Sequence, residues 1–312
     1  MGYRKTENMY KNTDIINLFR ECFALEKIHG TSAHVRWQVT NEEPDGRLHF
    51  FSGGEKHGKF VPLFDQEKLT KEFKQFGLHT QQAGITIYGE AYGGKCQGMR
   101  ETYGDSLKFV AFEVLLGDKS APSDSLFRPQ WLGVESAYEI VTNLGLEFVH
   151  FERGPATVEW LNEQRDKDST QAIRNGCGEG KMSEGVVVRP VVEVSKNGGG
   201  RFIVKHKRKE FCETRTPREV TKDPEDLKVL SDAKEVAAEW VTEMRLDHVL
   251  DKLRADGVDV TKMEATRQVI SEMINDVKVE GDREIEWSKE ISTAVGRASV
   301  QLYKQRVMKL EV

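Results

Sequence analysis

Apolar and polar positions alternate along much of the first two thirds of this chain. In His34-Val35-Arg36-Trp37-Gln38-Val39 every second residue is apolar, the pattern of a half-buried strand. Asn41–Gly46 supplies turn residues, and Arg47–Phe51 resumes the alternation as a hairpin partner that Ser52-Gly53-Gly54 ends. Over Asp65–Phe76 the period changes, and Leu69, Phe73 and Phe76 recur at helical spacing. Strands are predicted again at Ile85–Tyr88, Lys108–Leu116, Gly185–Val194 and Arg201–Lys207. Asn197-Gly198-Gly199-Gly200 reads as a hairpin turn between the last two, because glycine accepts positive φ at little cost. Ser136–Leu144 and Ala156–Asp166 read as helices. Residues 20–210 are therefore expected to be mixed α/β and rich in strands.

The pattern changes after Phe211. Thr214–Pro224 is polar, holds two prolines and reads as a linker. Val236, Trp240, Met244, Leu250 and Leu253 then form one apolar helical stripe, closed by Gly257. Thr261-x-x-Glu264 predicts a capping box ahead of Val269, Ile270, Met273, Ile274 and Val277. Ile285, Ile291, Val295, Leu302 and Val307 predict one or two further helices. These stripes are core positions. The expected division is a strand-rich domain over 1–213, a linker over 214–230 and a small all-helical domain over 231–312.

Composition adds limits. A chain of 312 residues fits two domains, and 31% charged against 38% hydrophobic residues, with mean hydropathy −0.56, describes a charge-rich globular protein. No apolar run approaches the ~20 residues of a membrane span, and the N-terminus has no apolar signal core. Met1-Gly2 with Thr6 fits a myristoylation pattern only loosely. Cys22, Cys96, Cys177 and Cys212 are far apart, which points to a reducing cytoplasm rather than a disulfide or zinc framework. The net charge of −5 excludes a uniformly basic nucleic-acid binder, yet its distribution is uneven. Arg201–Lys222 carries eight Lys and Arg against three acids, and residues 231–312 carry thirteen against seventeen. That basic stripe is either a solvated face or a phosphate-binding one.

Five segments can carry chemistry. Leu25-Glu26-Lys27-Ile28-His29-Gly30-Thr31-Ser32 sets a lysine near a glycine in apolar sequence. Such a lysine is a nucleophile only when neutral, far from its reference pKa of about 10.4. In Phe202-Ile203-Val204-Lys205-His206-Lys207 the two lysines share one face of a strand. They either protect an exposed edge or flank a phosphate chain. Ile87-Tyr88-Gly89-Glu90-Ala91-Tyr92-Gly93-Gly94 ends an apolar strand on Glu90, and Ser183-Glu184-Gly185-Val186-Val187-Val188-Arg189 starts one on Glu184. Each acid is a solvated terminus or a ligand for a hydroxyl or Mg²⁺. In Phe109-Val110-Ala111-Phe112-Glu113-Val114, Phe112 belongs to the core or stacks on a base.

In order and shape these segments resemble the covalent nucleotidyltransferase superfamily of ATP-dependent DNA ligases, RNA ligases and mRNA capping enzymes. The RNA ligase 2 type, the double-strand-sealing branch found in phages and in trypanosome RNA editing, is the most similar. Glu26-Lys27-Ile28-His29-Gly30-Thr31 has His where DNA ligases usually have Asp, Lys205-His206-Lys207 runs on through Phe211 to Glu213, and the tail is helical where DNA ligases and capping enzymes usually carry a β-barrel. The likeness covers about residues 20–213. It implies an α+β fold: a mixed, mainly antiparallel nucleotidyltransferase (adenylation) domain with flanking helices, followed by a small all-α domain. It also implies ATP and Mg²⁺ (or Mn²⁺) as cofactors, and RNA, in the form of a nicked duplex, as the partner of a cytoplasmic monomer. Lys27 would form the phosphoramidate with AMP. Glu26, Ile28 and Gly30 would lie at the nucleotide, with Phe112 stacked on adenine and Glu90 on the ribose. Glu184 would help hold the metal, and Lys205 and Lys207 would contact the phosphates. Arg201, Arg208, Lys209, Arg215 and Arg218 would follow the nucleic-acid backbone.

Two departures stand out. Ser32 occupies a position where the family usually has Asn, and Phe51-Ser52-Gly53-Gly54 lacks an arginine common there, with Arg47, Lys56 and Lys59 as candidate replacements. A DNA ligase, or a non-catalytic nucleic-acid-binding protein with an inactive nucleotide pocket, would share the same segments.

Overall fold

The computed structural model describes residues 3–80, 84–117, 129–216, 218–220 and 229–310. Met1 and Gly2 lie outside them, and the expected linker falls largely on 217 and 221–228, also outside. The chain divides into two compact units, Met1–His206 and Lys207–Val312.

Among the described residues the first unit holds two five-stranded sheets, and the fold is α+β. One sheet has the order β1 (Glu7–Asn8), β10 (Val204–Lys207), β9 (Gly185–Pro190), β2 (Glu21–Lys27), β8 (Phe151–Pro155). The other runs β4 (Arg47–Ser52), β3 (Thr31–Gln38), β5 (Gly84–Tyr92), β6 (Lys108–Leu116), β7 (Gln130–Trp131). Strand β1 pairs with β10 in parallel, and β2–β8, β2–β9, β3–β4, β3–β5, β5–β6 and β6–β7 pair antiparallel. Alternation assigns the faces. Ala33, Val35 and Trp37 of β3, with Ile85 and Ile87 of β5, are fully buried in a core completed by Phe60 of α2 (His57–Phe60) and by Leu69 and Phe73 of α3 (Gln66–Thr80). Shorter helices surround the sheets: α1 (Asp14–Leu18), α4 (Arg100–Tyr103), α5 (Val134–Asn143), α6 (Val158–Arg165) and α7 (Thr170–Arg174).

Three boundaries differ from the sequence expectation. Strand β9 stops at Pro190 rather than Val194, where proline removes the N–H that a ladder needs next. The turn beyond it is present, with the Lys196 N–H donating to the Gly200 carbonyl at 2.7 Å. Strand β8 was not anticipated, because Arg153-Gly154-Pro155 does not read as a strand; it is an edge strand, a setting that tolerates proline. The predicted capping box does not form. Helix α10 (Thr266–Glu280) starts after a 3₁₀ turn at Met263–Ala265, and the Thr261 hydroxyl bonds Asp259 instead.

In the second unit α8 (Ala233–Trp240), α9 (Glu243–Ala255), α10 and α11 (Lys289–Leu310) enclose a core of Val236, Trp240, Leu246, Leu250, Val269, Met273, Val277, Ile291 and Val295. Among the described residues no helix is long and apolar enough to cross a membrane.

Candidate active site

Strand β2 carries Lys27 at its end. Its cross-strand partner is Gly185, so the position directly opposite carries no side chain. Successive strand residues face opposite ways. Glu26 therefore turns away from Lys27, to the face where the hydroxyl of Ser169 and the backbone N–H of Gln171 (3.1 Å) donate to its carboxylate. Burial pushes this carboxyl up, and those two donors work against the rise. Glu26 fixes the base of α7 as well as lining the pocket.

Lys27 Nζ lies 2.8 Å from Glu184 Oε2, and His29 Nδ1 approaches the same oxygen at 3.0 Å. Glu184 is 2% exposed and Lys27 23%, so the amine reaches the cavity while its partner lies behind it. Glu90 completes the group. Its carboxyl is pushed up to about 8, first by burial and then by the charge of Glu184, while Lys27 and the Gly30 N–H pull it down. Because the folded-state value is raised, Glu90 favours the folded state fully below its ordinary range near 4.5, and that contribution is lost as pH rises through about 8. Glu90→Gln should therefore flatten the fall in melting temperature between pH 5 and 9. An unchanged slope in calorimetry would contradict this assignment.

The pocket holding Lys27 and Glu90 lies in the first unit and is walled by Leu25, Val187 and Lys205 from one sheet and by Phe112 and Glu113 from the other. Phe112 gets there through a bulge. Tyr88 pairs with Glu113 and Gly89 with Ala111, which leaves Phe112 as an extra residue in β6. Sequence reasoning missed Tyr3, which carries no periodic signal beside the terminus. Its ring meets Phe112 edge-on at 5.1 Å (79°), and its hydroxyl donates to Glu113 at 2.6 Å. Burial, then Glu113, raises the phenol well above its usual value, so it remains a donor. Tyr3→Ala removes this wall. On the nucleotide expectation stated above, ATP affinity should fall about tenfold by loss of roughly 1–1.5 kcal/mol of ring contact, measurable by isothermal titration.

The remaining expected residues divide. Lys205 is buried in the pocket wall. Lys207 belongs to the second unit, 2.9 Å from Glu213. Burial alone would raise the Glu213 carboxyl, but Lys207, His248 and Arg245 outweigh it and hold it well below the usual range. Arg201 is not available to follow a nucleic-acid backbone: its guanidinium bonds Glu113 and Glu193 and packs over Trp131. Arg218 is held by Glu239 and Glu284. Lys209 and Arg215 are exposed, and Arg208 is half-buried. Gly30 serves strand packing, since a Cβ there would meet the Ala91 carbonyl oxygen at 2.4 Å. Of the candidate replacements for the missing arginine, Arg47 pairs with Glu43, and Lys56 and Lys59 are exposed beside α2.

Among the described residues no three His, Cys, Asp or Glu side chains gather as a metal cage. The Glu184 carboxylate suits a cation of the Mg²⁺ kind, which takes one or two protein carboxylates and completes its shell with water and phosphate oxygens.

A profile of the RNA ligase family matches residues 20–207. The chain belongs to the RNA ligase family. A Naegleria gruberi RNA ligase mutant solved with ATP and Mn is 15% identical, with 68% of this chain and 56% of that chain covered and a TM-score of 0.47. The same ligase with PPi gives 16%, 68%, 57% and 0.47, and a mutant with AMP and Mn gives 15%, 68%, 57% and 0.43. The likeness thus spans little more than half of that ligase's length. No curated protein matches the chain.

Proposed function

We propose that this protein is an ATP-dependent RNA ligase that seals 3′-hydroxyl/5′-phosphate breaks, chiefly nicks in duplex RNA, through lysyl-AMP. The observation that carries the reading is the single pocket in which Lys27, Glu90, Phe112 and Lys205 converge, with Glu184 behind Lys27. Deprotonated Lys27 attacks the α-phosphorus of ATP. An N–P bond forms and the bond to pyrophosphate breaks. AMP then passes to the 5′-phosphate of a polynucleotide, and the 3′-hydroxyl of the adjoining strand displaces it. Phosphoryl transfer asks for position and charge neutralisation more than for covalent help. Glu184 aims the amine. Lys205 neutralises phosphate oxygens. Phe112 and Tyr3 hold the base, and Glu90 in its neutral form can donate to and accept from a ribose hydroxyl. Glu184 would help hold the divalent cation, which would supply further charge neutralisation at the phosphates.

A nicked duplex with RNA on the 3′-hydroxyl side should be sealed faster than the same nick in DNA, because 2′-hydroxyls and A-form geometry are what distinguish the two. Gel assays with matched nicks test this. Equal rates would favour the DNA-ligase reading.

A further inference from the structure

The two sheets of the first unit wall the pocket, and a third piece of chain crosses between them. Residues 3–8 precede the segment that the family profile matches. At one end Tyr3 is fixed to the sheet of Glu90. Its ring packs edge-on against Phe112 and, at 5.3 Å (61°), against Tyr88, and its hydroxyl donates to Glu113. Its backbone N–H donates to Ser32 Oγ at 3.4 Å. Ser32, one of the two departures from the family pattern, thus receives the N-terminal segment. At the other end β1 belongs to the sheet of Lys27. It pairs with β10, Glu7 opposite Val204 and Asn8 opposite Lys205, and the Met9 N–H donates to the Lys205 carbonyl at 2.8 Å. Residues 3–8 therefore bridge the two sheets and are anchored on both.

Thr6 lies between the anchors. It is half-buried and lines the pocket together with Tyr3, Ile203 and Lys205. Among the described residues its hydroxyl has no hydrogen-bond partner. Other polar groups of the lining are already bonded within the chain: Glu26 to Ser169 and Gln171, Lys27 to Glu184, and Glu113 to Tyr3 and Arg201. A hydroxyl donates and accepts without carrying charge, which suits a neutral polar group better than a phosphate. The surroundings agree. Tyr3 joins Phe112 in the wall proposed for the base, Ile203 is apolar, and the cation Lys205 stands opposite Asn8, two residues past Thr6.

We infer that residues 3–8 form a third wall of the nucleotide site, and that the Thr6 hydroxyl bonds the nucleoside part of ATP directly and so helps determine which nucleotide is held. This rests on the ligase reading above, and it extends the site to residues outside the family-matched segment.

The test is calorimetric titration of the full chain with ATP and, separately, with tripolyphosphate, without divalent cation so that lysyl-AMP does not accumulate. Thr6→Val removes the hydroxyl at nearly constant shape. It should weaken ATP binding about 3–10-fold, the range of one neutral hydrogen bond, and leave tripolyphosphate binding as in the parent. Thr6→Ser keeps the hydroxyl and should bind ATP as the parent does. Thr6 is outside the apolar core, so both exchanges leave that core intact. Adding Tyr3→Ala to Thr6→Val should weaken ATP further than either change alone. Parental ATP affinity in Thr6→Val would overturn the contact. Equal weakening of ATP and tripolyphosphate would overturn its assignment to the nucleoside. A double variant no weaker than Tyr3→Ala would overturn the shared wall. AMP labelling is measured apart from these titrations. A parent that binds ATP but is never labelled would count against the ligase reading, while the Thr6 titrations would still decide this inference.

Discussion

Lys27→Ala should reduce covalent labelling by radioactive ATP to background. The amine is the nucleophile in the proposed first step, and no other lysine is held as it is, 2.8 Å from Glu184 and opening onto the pocket that contains Phe112 and Glu90. Lys27→Arg should be equally inactive, because a guanidinium keeps its proton at any workable pH. The step that joins strands makes a different demand. If a strand is supplied with AMP already on its 5′-phosphate, attack by the neighbouring 3′-hydroxyl needs no lysine nucleophile. The Lys27→Ala protein should still seal that substrate. A variant that labels as the parent does would end the lysyl-AMP reading; a variant that neither labels nor seals the pre-adenylylated strand would point to general damage at the site.

Glu184→Ala should have the second largest effect, on stability and chemistry together. The carboxylate is 2% exposed and receives both Lys27 and His29 on one oxygen. Truncating it leaves a cation in a largely enclosed site without its counter-charge, a change that typically costs about 3–5 kcal/mol when a buried pair is broken. Partial access of Lys27 to water should place the loss near the lower end. Calorimetry gives the stability term. Labelling at saturating ATP should fall by about 100-fold or more, since the amine is no longer aimed, and the Mg²⁺ concentration needed for half-maximal labelling should rise. Glu184→Gln retains shape and one acceptor, and should recover stability better than labelling. Full labelling by Glu184→Ala at parental Mg²⁺ would remove Glu184 from the site.

Much of this was legible in the sequence, for identifiable reasons. The β3–β4 hairpin, the strands around Ile87 and Val114 and the helical stripes from Val236 onward declare themselves by period, because one face of each is buried. Lys27, Glu90, Glu184 and Lys205 drew notice as ionisable groups against apolar strands, the residues alone left their roles open, and the fold brings Lys27, Glu90 and Lys205 to one pocket with Glu184 bonded to Lys27. The misses depend on partners distant in sequence. Tyr3 acquires its role only from contact with Phe112 and Glu113, more than a hundred residues away. Arg201 reads as part of a basic stripe, yet three-dimensional placement gives it Glu113, Glu193 and Trp131. Glu26 lines the pocket, but its tie to Ser169 and Gln171, residues that no local pattern links to it, appears only in three dimensions. Thr261 is a different case, a miss of local origin: it has the spacing of a cap, but its hydroxyl donates to Asp259 two residues away.

The extra residue in β6 separates two tasks that a regular strand would have to combine. Tyr88 opposite Glu113 and Gly89 opposite Ala111 keep the rungs of the sheet, and Phe112 occupies none of them. The sheet's pairing and the wall offered to a base are therefore written in different letters of the chain. On the proposed reading, exchange of that one ring for another shape would alter which heterocycle is accepted while every rung on either side stays in register, so the scaffold and its choice of nucleotide could change independently.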